Sequence, residues 1–408
     1  MDTFIGRQPI LNINQDLYGY ELLHRTSNMN AYRGFDGTQA TAAVISNSYL
    51  SFGIEKLSDR KRCFINFTEQ LLLEEVPLFF SPEAIIVEIL ESVELSDEIV
   101  AACKKLKHLG YVIAIDDVID PRYYDQIIDL VDIMKVDFLQ ISKHRREGII
   151  KQYANRHITF LAEKVETQED YEEAKRLGYT LFQGYFFSKP VILATKDMKP
   201  IPQQYVYMLE EINKPDPDIT LVSKLVERDL ALSYKLLRLI NSLGLPVKVS
   251  NIKQAVVLLG LFEVKKWILI LMLTKDTNQS TKIIQLSLIR SRLSERIAKK
   301  VKMNATDASF IGMFSLLESL LQRSMNDILS ELPIEDHVVK ILTNEHHNDP
   351  HAQLLQLVKA IERCDWHAVD QLLTQVGVSI PSLQEDYFEA VVWANTIIGS
   401  FATATPAH

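Results

Sequence analysis

Short apolar runs alternate with longer amphipathic stretches over the first 190 residues. The apolar runs are mostly continuous Val, Ile, Leu and Phe, which is typical of parallel strands buried on both faces. The predicted strands cover residues 4–11, 17–23, 63–67, 85–90, 112–115, 133–136, 158–161 and 181–186. Predicted helices between them include 95–109 and 168–177, each followed by a glycine that favours a helix end. This alternation predicts an α/β domain with a parallel sheet.

The pattern changes after residue 190. Four prolines between residues 200 and 217 interrupt a polar stretch, which indicates a linker. From residue 219 to about 401, apolar residues recur at spacings of three, four and seven, as on one face of a helix. We therefore predict an N-terminal α/β domain and an all-α second domain, with these boundaries: 1–192 and 205–401, a linker at 193–204 and a tail at 402–408.

The composition narrows the possible partners and location. Among 408 residues, 44 Lys and Arg stand against 53 Asp and Glu, and this net charge of −9 argues against a general nucleic-acid binder. The three cysteines (Cys63, Cys103 and Cys364) lack CxxC spacing, which fits a reducing cytosol. The longest apolar run, 267–273, is shorter than the roughly 20 residues that cross a bilayer, and the N-terminus does not resemble a signal peptide. We therefore expect a soluble, cytoplasmic protein with no membrane or nucleic-acid partner.

Polar residues come at the ends of the predicted strands. Taken singly, each is expected to be a helix N-cap or a solvated loop residue. Taken together they favour the carboxyl rim of a parallel barrel, where active sites are built. The residues are Glu21, Asn66, Glu88, Asp116, Asp117, Lys135, Glu163 and Gln183.

Five of these side chains are carboxylates, which would repel one another in an empty pocket. Divalent cations would relieve that repulsion, and oxygen ligands select Mg²⁺ or Mn²⁺ over zinc. The adjacent Asp116 and Asp117 could bridge two metals about 3.5–4 Å apart, the arrangement used for in-line displacement at phosphorus. These residues predict metal-assisted hydrolysis of a phosphate ester.

The same residues carry a family resemblance. The run ELLHR at 21–25 resembles the E-A-L-x-R signature of EAL-domain cyclic-di-GMP phosphodiesterases. Later motifs of that family match in order, and the resemblance covers residues 1–192. The matching runs are INF at 65–67, VEILE at 87–91, IDD at 115–117, MKVD at 134–137, AEKVE at 162–166 and QGYFFSKP at 183–190.

The resemblance implies a TIM-like barrel that hydrolyses cyclic-di-GMP to linear pGpG with two Mg²⁺ or Mn²⁺ ions per active site. It implies Glu163 as general base or hydroxide-orienting ligand, and Lys135 as the group that holds the water or stabilises phosphoryl charge. The implied metal ligands are Glu21, Asn66, Glu88, Asp116, Asp117 and Glu163.

Four further residues have roles that the resemblance implies. Arg25 resembles the arginine that contacts the substrate phosphate, and Gln183 the residue that supports the metal–water shell. Glu91 and Glu166 resemble residues that support the metal ligands. The family also implies a homodimer through the barrel and a role in setting motility against biofilm formation.

The sequence departs from the family pattern at two places. Leu22 stands where the family has alanine. The run VIDPRYY at 118–124 lacks the glycines that the family usually has after its Asp pair, and it contains a rigid proline. An alternative therefore stays open: a degenerate cyclic-di-GMP receptor or scaffold that binds without cleaving and signals through the helical domain.

The helical half resembles the HDOD domain, a non-catalytic relative of HD-type hydrolases. The matching runs are LVERD at 225–229, YKLLRLINS at 234–242 and IKQAVVLLG at 252–260. None of the ten histidines is followed by Asp, and 312–318 is apolar, so an HD-type hydrolase is disfavoured. His346, His347 and His351 are expected to be solvated rather than metal-bound. The resemblance implies a regulatory or partner-binding domain with an unknown protein partner.

Overall fold

In the computed structural model of the protein, eight strands close into a barrel, each bonded to the next in chain order. They are β1 (Thr3–Asn12), β2 (Leu17–Thr26), β3 (Arg62–Phe67), β4 (Ile85–Ile89), β5 (Val112–Ile115), β6 (Ile133–Asp137), β7 (Thr159–Glu163) and β8 (Leu181–Gln183). The residues described are 3–26, 58–118, 121–153, 155–185, 203–242, 248–273, 281–321, 323–332 and 334–402. The predicted TIM-like barrel is confirmed, with a strand at each predicted position.

One strand differs from the predicted parallel sheet. β1 runs antiparallel to both β2 and β8, whereas β2 to β8 pair in parallel. A tight turn joins β1 to β2, in which Asn12 Oδ1 accepts the backbone N–H groups of Asn14 and Asp16, both at 2.9 Å. Parallel strands need a crossover of a dozen or more residues, so a turn this short enforces the antiparallel arrangement.

Helices connect several of the later strands. They are α1 (Glu69–Leu73), α2 (Asp97–His108), α3 (Lys143–Tyr153) and α4 (Gln168–Leu177). Thr167 and Asp170 form a capping box at the start of α4, and Gly178 ends that helix in a left-handed conformation, as its position predicts. The start and the end of α4, the helix before β8, are therefore explained by common capping residues.

The rest of the described chain is helical, as predicted. The helices are α5 (Gln203–Ile212), α6 (Ile219–Glu227), α7 (Leu230–Ser242), α8 (Ile252–Leu259), α9 (Leu261–Leu273), α10 (Thr281–Lys300), α11 (Ala305–Phe314), α12 (Leu317–Leu321), α13 (Met325–Ser330), α14 (Asp336–Leu342), α15 (Pro350–Glu362), α16 (Trp366–Val376) and α17 (Ile380–Ala402). No helix in these described stretches is both long and apolar enough to cross a bilayer.

The described residues fall into two compact units. The first contains the described parts of 1–189 together with 360–370 and 379–384. The second contains the described parts of 190–359, 371–378 and 385–408. Most of the predicted linker at 193–204 lies outside the described residues, and the predicted domain boundaries stay predictions.

Candidate active site

The candidate residues form a layer next to the apolar core inside the barrel. That core consists of Ile10, Phe64, Ile86, Ala114, Ile133, Leu161 and Leu181. Side chains alternate between the two faces of a strand, so the next inward position lies two residues further along. From β3 to β8 those positions hold Asn66, Glu88, Asp116, Lys135, Glu163 and Gln183. The layer therefore follows from the two-residue period of the strands.

Lys135 lies among four carboxylates of this layer, and its side chain is 1% exposed. Its Nζ lies 2.7 Å from Glu163 Oε1, 3.0 Å from Asp116 Oδ1 and 3.5 Å from Glu21 Oε2, and it donates to Glu88 Oε1. One ammonium group cannot neutralise three buried carboxylates and the half-buried Asp116. The site therefore requires bound protons or further positive charge.

The protonation of the layer reflects this imbalance. Burial, only partly offset by Lys135, raises the pKa of Glu88 well above its usual range and raises the pKa of Glu163 to about 8. Burial opposes the charge of Lys135, but the surrounding carboxylates outweigh it and raise the pKa of that ammonium. For Asp116 the nearby Lys135 outweighs burial, so the pKa of this carboxyl is lowered. At neutral pH, Lys135 is a cation and Glu163 mostly holds a proton.

A second acidic group adjoins the first. One carboxylate oxygen from each of Glu91, Asp116 and Asp117 lies within 4.8 Å of the others. Successive strand residues normally face opposite sides, but Asp117 has a left-handed backbone (φ 41°) that breaks this alternation. Burial and the neighbouring Asp116 raise the pKa of Asp117. Glu91 is exposed and both aspartates are half-buried, so this side of the site is open to solvent.

Amide side chains hold Glu21 at the other side of the layer. Gln183 Nε2 donates to Glu21 Oε2 at 2.6 Å and to Gln8 Oε1 at 2.8 Å, and Asn66 Nδ2 donates to Glu21 Oε1 at 3.5 Å. Sequence reasoning missed Gln8. The signal was present, because in the antiparallel β1 the layer lies two residues before Ile10, and Gln8 pairs directly with Glu21 in the β1–β2 register.

Tyrosines stabilise the segment that follows the aspartate pair. Tyr124 Oη donates to the Asp116 carbonyl at 3.5 Å, and Tyr123 Oη donates to the Val93 carbonyl at 3.0 Å. Residues 119 and 120 lie outside the described part of the chain. The glycine-free run therefore has contacts of its own with the backbone of the site.

For two of the predicted site residues, Arg25 and Glu166, the structure does not show a side chain in this layer. Arg25 pairs with Phe4 at the end of β2, but its side chain lies outside the described residues. Glu166 is exposed and immediately precedes Thr167, the N-cap of α4. Their roles stay predictions, as do the individual roles of the other site residues.

The donor set fits hard divalent cations. Its charged members are all carboxylates, and oxygen ligands of this kind suit Mg²⁺ or Mn²⁺. Two of their oxygens, Glu88 Oε2 and Asp117 Oδ1, are buried and have no hydrogen-bond donor among the described residues. The ammonium of Lys135 already shows that a cation is stable at the centre of the carboxylates. The oxygen ligands gathered here thus suit a hard divalent cation.

The helical unit offers no comparable site in the ranges that the structure covers. Among all the described residues, one group of three or more candidate ligand side chains lies close enough together to hold a metal ion, and it is in the barrel: Glu91, Asp116 and Asp117. His351 contacts Asp349 through Nδ1 at 3.3 Å and the Asn304 carbonyl through Nε2 at 3.2 Å. Both contacts involve residues next to the N-terminal end of a helix: Asp349 precedes α15, and Asn304 is the N-cap of α11.

Two families match the chain. Residues 49–190 match the EAL domain family, and residues 198–355 match the HDOD domain family. The uncharacterized protein YuxH of Bacillus subtilis (strain 168) is 40% identical over 411 residues, which cover 98% of this chain and 99% of YuxH. Cyclic di-GMP phosphodiesterase CdgJ of Vibrio cholerae serotype O1 is 33% identical over 405 residues, which cover 97% of this chain and 93% of CdgJ.

The solved structures to which part of this chain is similar include two bacterial proteins. The calcium/cy-diGMP complex of Klebsiella pneumoniae BlrP1 at pH 8.0 is 20% identical, with a TM-score of 0.37, and the match covers 47% of this chain and 56% of BlrP1. An EAL domain protein from Listeria monocytogenes EGD-e is 22% identical, with a TM-score of 0.37, over 46% of this chain and 88% of that protein.

Proposed function

Because this chain belongs to the EAL-domain family, with an HDOD domain after its barrel, and is related to cyclic-di-GMP phosphodiesterases, we propose that it hydrolyses cyclic-di-GMP to linear pGpG. Both family resemblances are confirmed, over residues 49–190 for the EAL domain and residues 198–355 for the HDOD domain. Similarity to CdgJ runs through both halves of the chain and supports this substrate.

The observation that carries the proposal is the charged layer inside the barrel. Four carboxylates of that layer surround Lys135, and Glu91 and Asp117 add to them at the side open to solvent. A structural ion-pair cluster would match its charges, whereas this one has an excess of carboxylates and oxygens without donors. An excess of oxygen ligands at the solvent-accessible end of a barrel suits cation-dependent chemistry on a phosphate.

The proposed ligands divide between two cations. One set is Glu21, Asn66, Glu88 and Asp116, and the other is Asp117 with the shared Asp116. Glu163 is proposed as a further ligand, which orients the attacking water. Bound Mg²⁺ or Mn²⁺ would supply a water of lowered pKa and neutralise charge on the phosphoryl oxygens. Glu91 would support the second set from the side open to solvent.

The protein's own groups would manage the protons and the phosphoryl charge. Attack of water forms one P–O bond and breaks the bond to the leaving ribose oxygen, which opens the ring and gives pGpG. In the ionised form Glu163 accepts the proton of the attacking water, and the leaving oxygen takes up a proton from solvent. The ammonium of Lys135, 2.7 Å from Glu163, stabilises that carboxylate and the charge on the phosphorus oxygens. Arg25 is proposed as a phosphate contact.

The helical half is proposed as a regulatory or partner-binding domain. This assignment rests on the HDOD match at 198–355, and it includes an unidentified protein partner. Control of motility against biofilm formation is proposed from the hydrolysis of cyclic-di-GMP by the barrel. A homodimer through the barrel belongs to the same proposal.

Hydrolysis with metal added and withheld tests the proposed function. Purified full-length protein is incubated with cyclic-di-GMP and Mn²⁺ or Mg²⁺, and pGpG is measured by chromatography. We expect product only with metal, and Glu21→Ala is expected to abolish it while the circular dichroism spectrum is unchanged. Glu74→Ala, which changes an exposed glutamate at the C-cap of α1, is the matched control and should keep the wild-type rate.

Binding of cyclic-di-GMP without hydrolysis would identify the protein as a receptor rather than an enzyme. Tight binding of cyclic-di-GMP by the wild type, with metal and without product, would contradict hydrolysis and support the receptor alternative.

A further inference from the structure

Part of the C-terminal region belongs to the barrel unit. Residues 360–370, called the C-terminal turn below, lie beyond both matched ranges and group with the barrel. The turn contains the end of α15, the connection at 363–365 and the start of α16, and Cys364 in the connection has a left-handed backbone (φ 55°). Its contacts with the barrel are specific and lie next to the candidate active site.

The turn fills a space left by a missing side chain. Gly6 precedes Gln8 by two residues in β1, so both face the inside of the barrel. A Cβ atom at Gly6 would lie 2.7 Å from Cys364 Sγ and 2.9 Å from Trp366 Cη2. Surrounding protein and the nearby Glu21 carboxylate raise the pKa of the Cys364 thiol, so this side chain is neutral. The turn therefore reaches the neighbourhood of Glu21.

Two further contacts anchor this region to the barrel. The guanidinium of Arg363 stacks on the ring of Tyr185, 4.2 Å from its centroid, just beyond Gln183 in β8. In addition, the backbone N–H of Ile5 donates to Gln384 Oε1 at 2.8 Å. These contacts involve β1 and β8, the strands that carry the amides beside Glu21.

The turn also begins a chain of oriented amides. Gln8 Nε2 donates to the Arg363 carbonyl at 2.9 Å, and Gln8 Oε1 accepts from Gln183 Nε2 at 2.8 Å. A carboxamide has one donor end and one acceptor end. Because the Arg363 carbonyl can only accept, it selects the orientation of Gln8, which in turn presents an oxygen to Gln183. Gln183 then directs its Nε2 to Glu21 Oε2 at 2.6 Å.

We infer that the C-terminal turn is a positioning element of the active site: the Arg363 carbonyl orients the Gln8 and Gln183 amides, and these present Glu21 to a divalent cation. The inference rests on the proposed function. Release of the turn would let both amides reverse, which would place Gln183 Oε1 against Glu21 Oε2. Two acceptors cannot share a hydrogen bond, so Glu21 would lose its fixed orientation.

A substitution that adds a side chain at Gly6 tests the inference in the full-length protein. Gly6→Ala adds a Cβ that the turn must move to accommodate. We expect Mn²⁺ affinity to fall by about tenfold or more, since residues that orient metal ligands typically contribute on this scale. Isothermal titration of metal-free protein with Mn²⁺ measures this without substrate. Gly148→Ala, in open space on α3, is the matched control and should bind Mn²⁺ like the wild type.

A rescue and a milder variant separate positioning from a simple loss of folding. Gly6→Ala combined with Cys364→Ala removes the nearer clash and should recover part of the Mn²⁺ affinity. Arg363→Ala removes the contact with Tyr185 but changes an exposed side chain, so it should fold and weaken Mn²⁺ binding in the same direction. If Gly6→Ala does not fold, Arg363→Ala decides the question.

Two results would overturn the inference. One is wild-type Mn²⁺ affinity in folded Gly6→Ala and Arg363→Ala. The other is a gain in affinity or in turnover, which would identify the turn as an obstruction. Failure of the proposed function is a separate result, because wild-type protein that binds Mn²⁺ but forms no pGpG still allows the titrations to be compared.

Discussion

At the scale of single residues, the site is dominated by an excess of negative charge around one buried ammonium. Lys135 contacts Glu88, Asp116 and Glu163 at hydrogen-bonding distance, while burial keeps a proton on Glu163 up to about pH 8. A metal ligand must be deprotonated, so a cation that binds this layer has to displace protons. Metal binding is therefore expected to depend on pH.

We predict that Mn²⁺ affinity rises with pH between about 6 and 8, by up to about tenfold per pH unit for each proton displaced. The sign follows from the pKa of Glu163, about 8, because this carboxyl must lose its proton before it can bind the cation. Titration calorimetry in buffers of different ionisation enthalpy measures both the affinity and the proton release.

Glu163→Gln should bind Mn²⁺ more weakly and with a flatter pH dependence, because the titrating group is lost. The surface variant Glu74→Gln should keep the wild-type slope. An affinity independent of pH in the wild type would contradict the prediction.

At the scale of elements, the ends of the strands place the functional layer. Gly184 follows Gln183 at the end of β8, and its neighbour is the backbone of Val165 after β7. A Cβ atom at Gly184 would lie 2.1 Å from the Val165 carbonyl oxygen, and φ is +148°, which L-residues rarely adopt. Close approach of the two backbones thus requires glycine beside the amide that contacts Glu21.

Gly184→Ala is expected to lower the free energy of unfolding by about 2 kcal/mol or more, because it adds backbone strain and a direct clash. Gly148→Ala, in the exposed interior of α3, is expected to raise it by about 0.5–1 kcal/mol, because alanine favours helix. Urea denaturation of the two variants beside the wild type measures the difference. Equal effects of the two substitutions would show that the backbone at Gly184 is free to move.

At the scale of the whole molecule, the described chain consists of two units with cores of different character. The barrel unit has a charged layer above its apolar core, whereas a buried charge in the helical unit is paired. Asp386 has a fully buried side chain that contacts Arg296 Nε and Lys300 Nζ, both at 2.8 Å. A buried carboxylate whose charge is compensated by two neighbouring cations is typical of structural support rather than chemistry.

Asp386→Ala is expected to lower the free energy of unfolding by about 3 kcal/mol, because it leaves two cations without their buried partner. Glu389→Ala removes a carboxylate that is 45% exposed and also contacts Arg296, and it should cost less than about 1 kcal/mol. Guanidinium denaturation followed by circular dichroism measures both. Similar losses in the two variants would argue against a special role for the buried aspartate.

Much of the barrel and its layer can be predicted from local patterns. Most strands were recognisable as continuous apolar runs, and from β3 to β8 the polar residue stood two positions beyond an inward core residue, as Glu88 does beyond Ile86. The antiparallel direction of β1 was not predicted, although the four residues that join it to β2 are too few for a parallel crossover. Gln8 was missed for the same reason, because its place in the layer depends on that reversed direction.

The order of residues along the chain is sufficient for the fold class and for most of the charged layer, because strand periodicity is a local property that repeats every two residues. Contacts between distant residues are not encoded in this way. The packing of Cys364 against Gly6, and the hydrogen bond from Gln8 to the Arg363 carbonyl, join positions more than 350 residues apart. The pKa of Glu163 likewise depends on burial and on charges from other strands. Such features exist only once the chain has folded, since they arise from distances that no local pattern specifies.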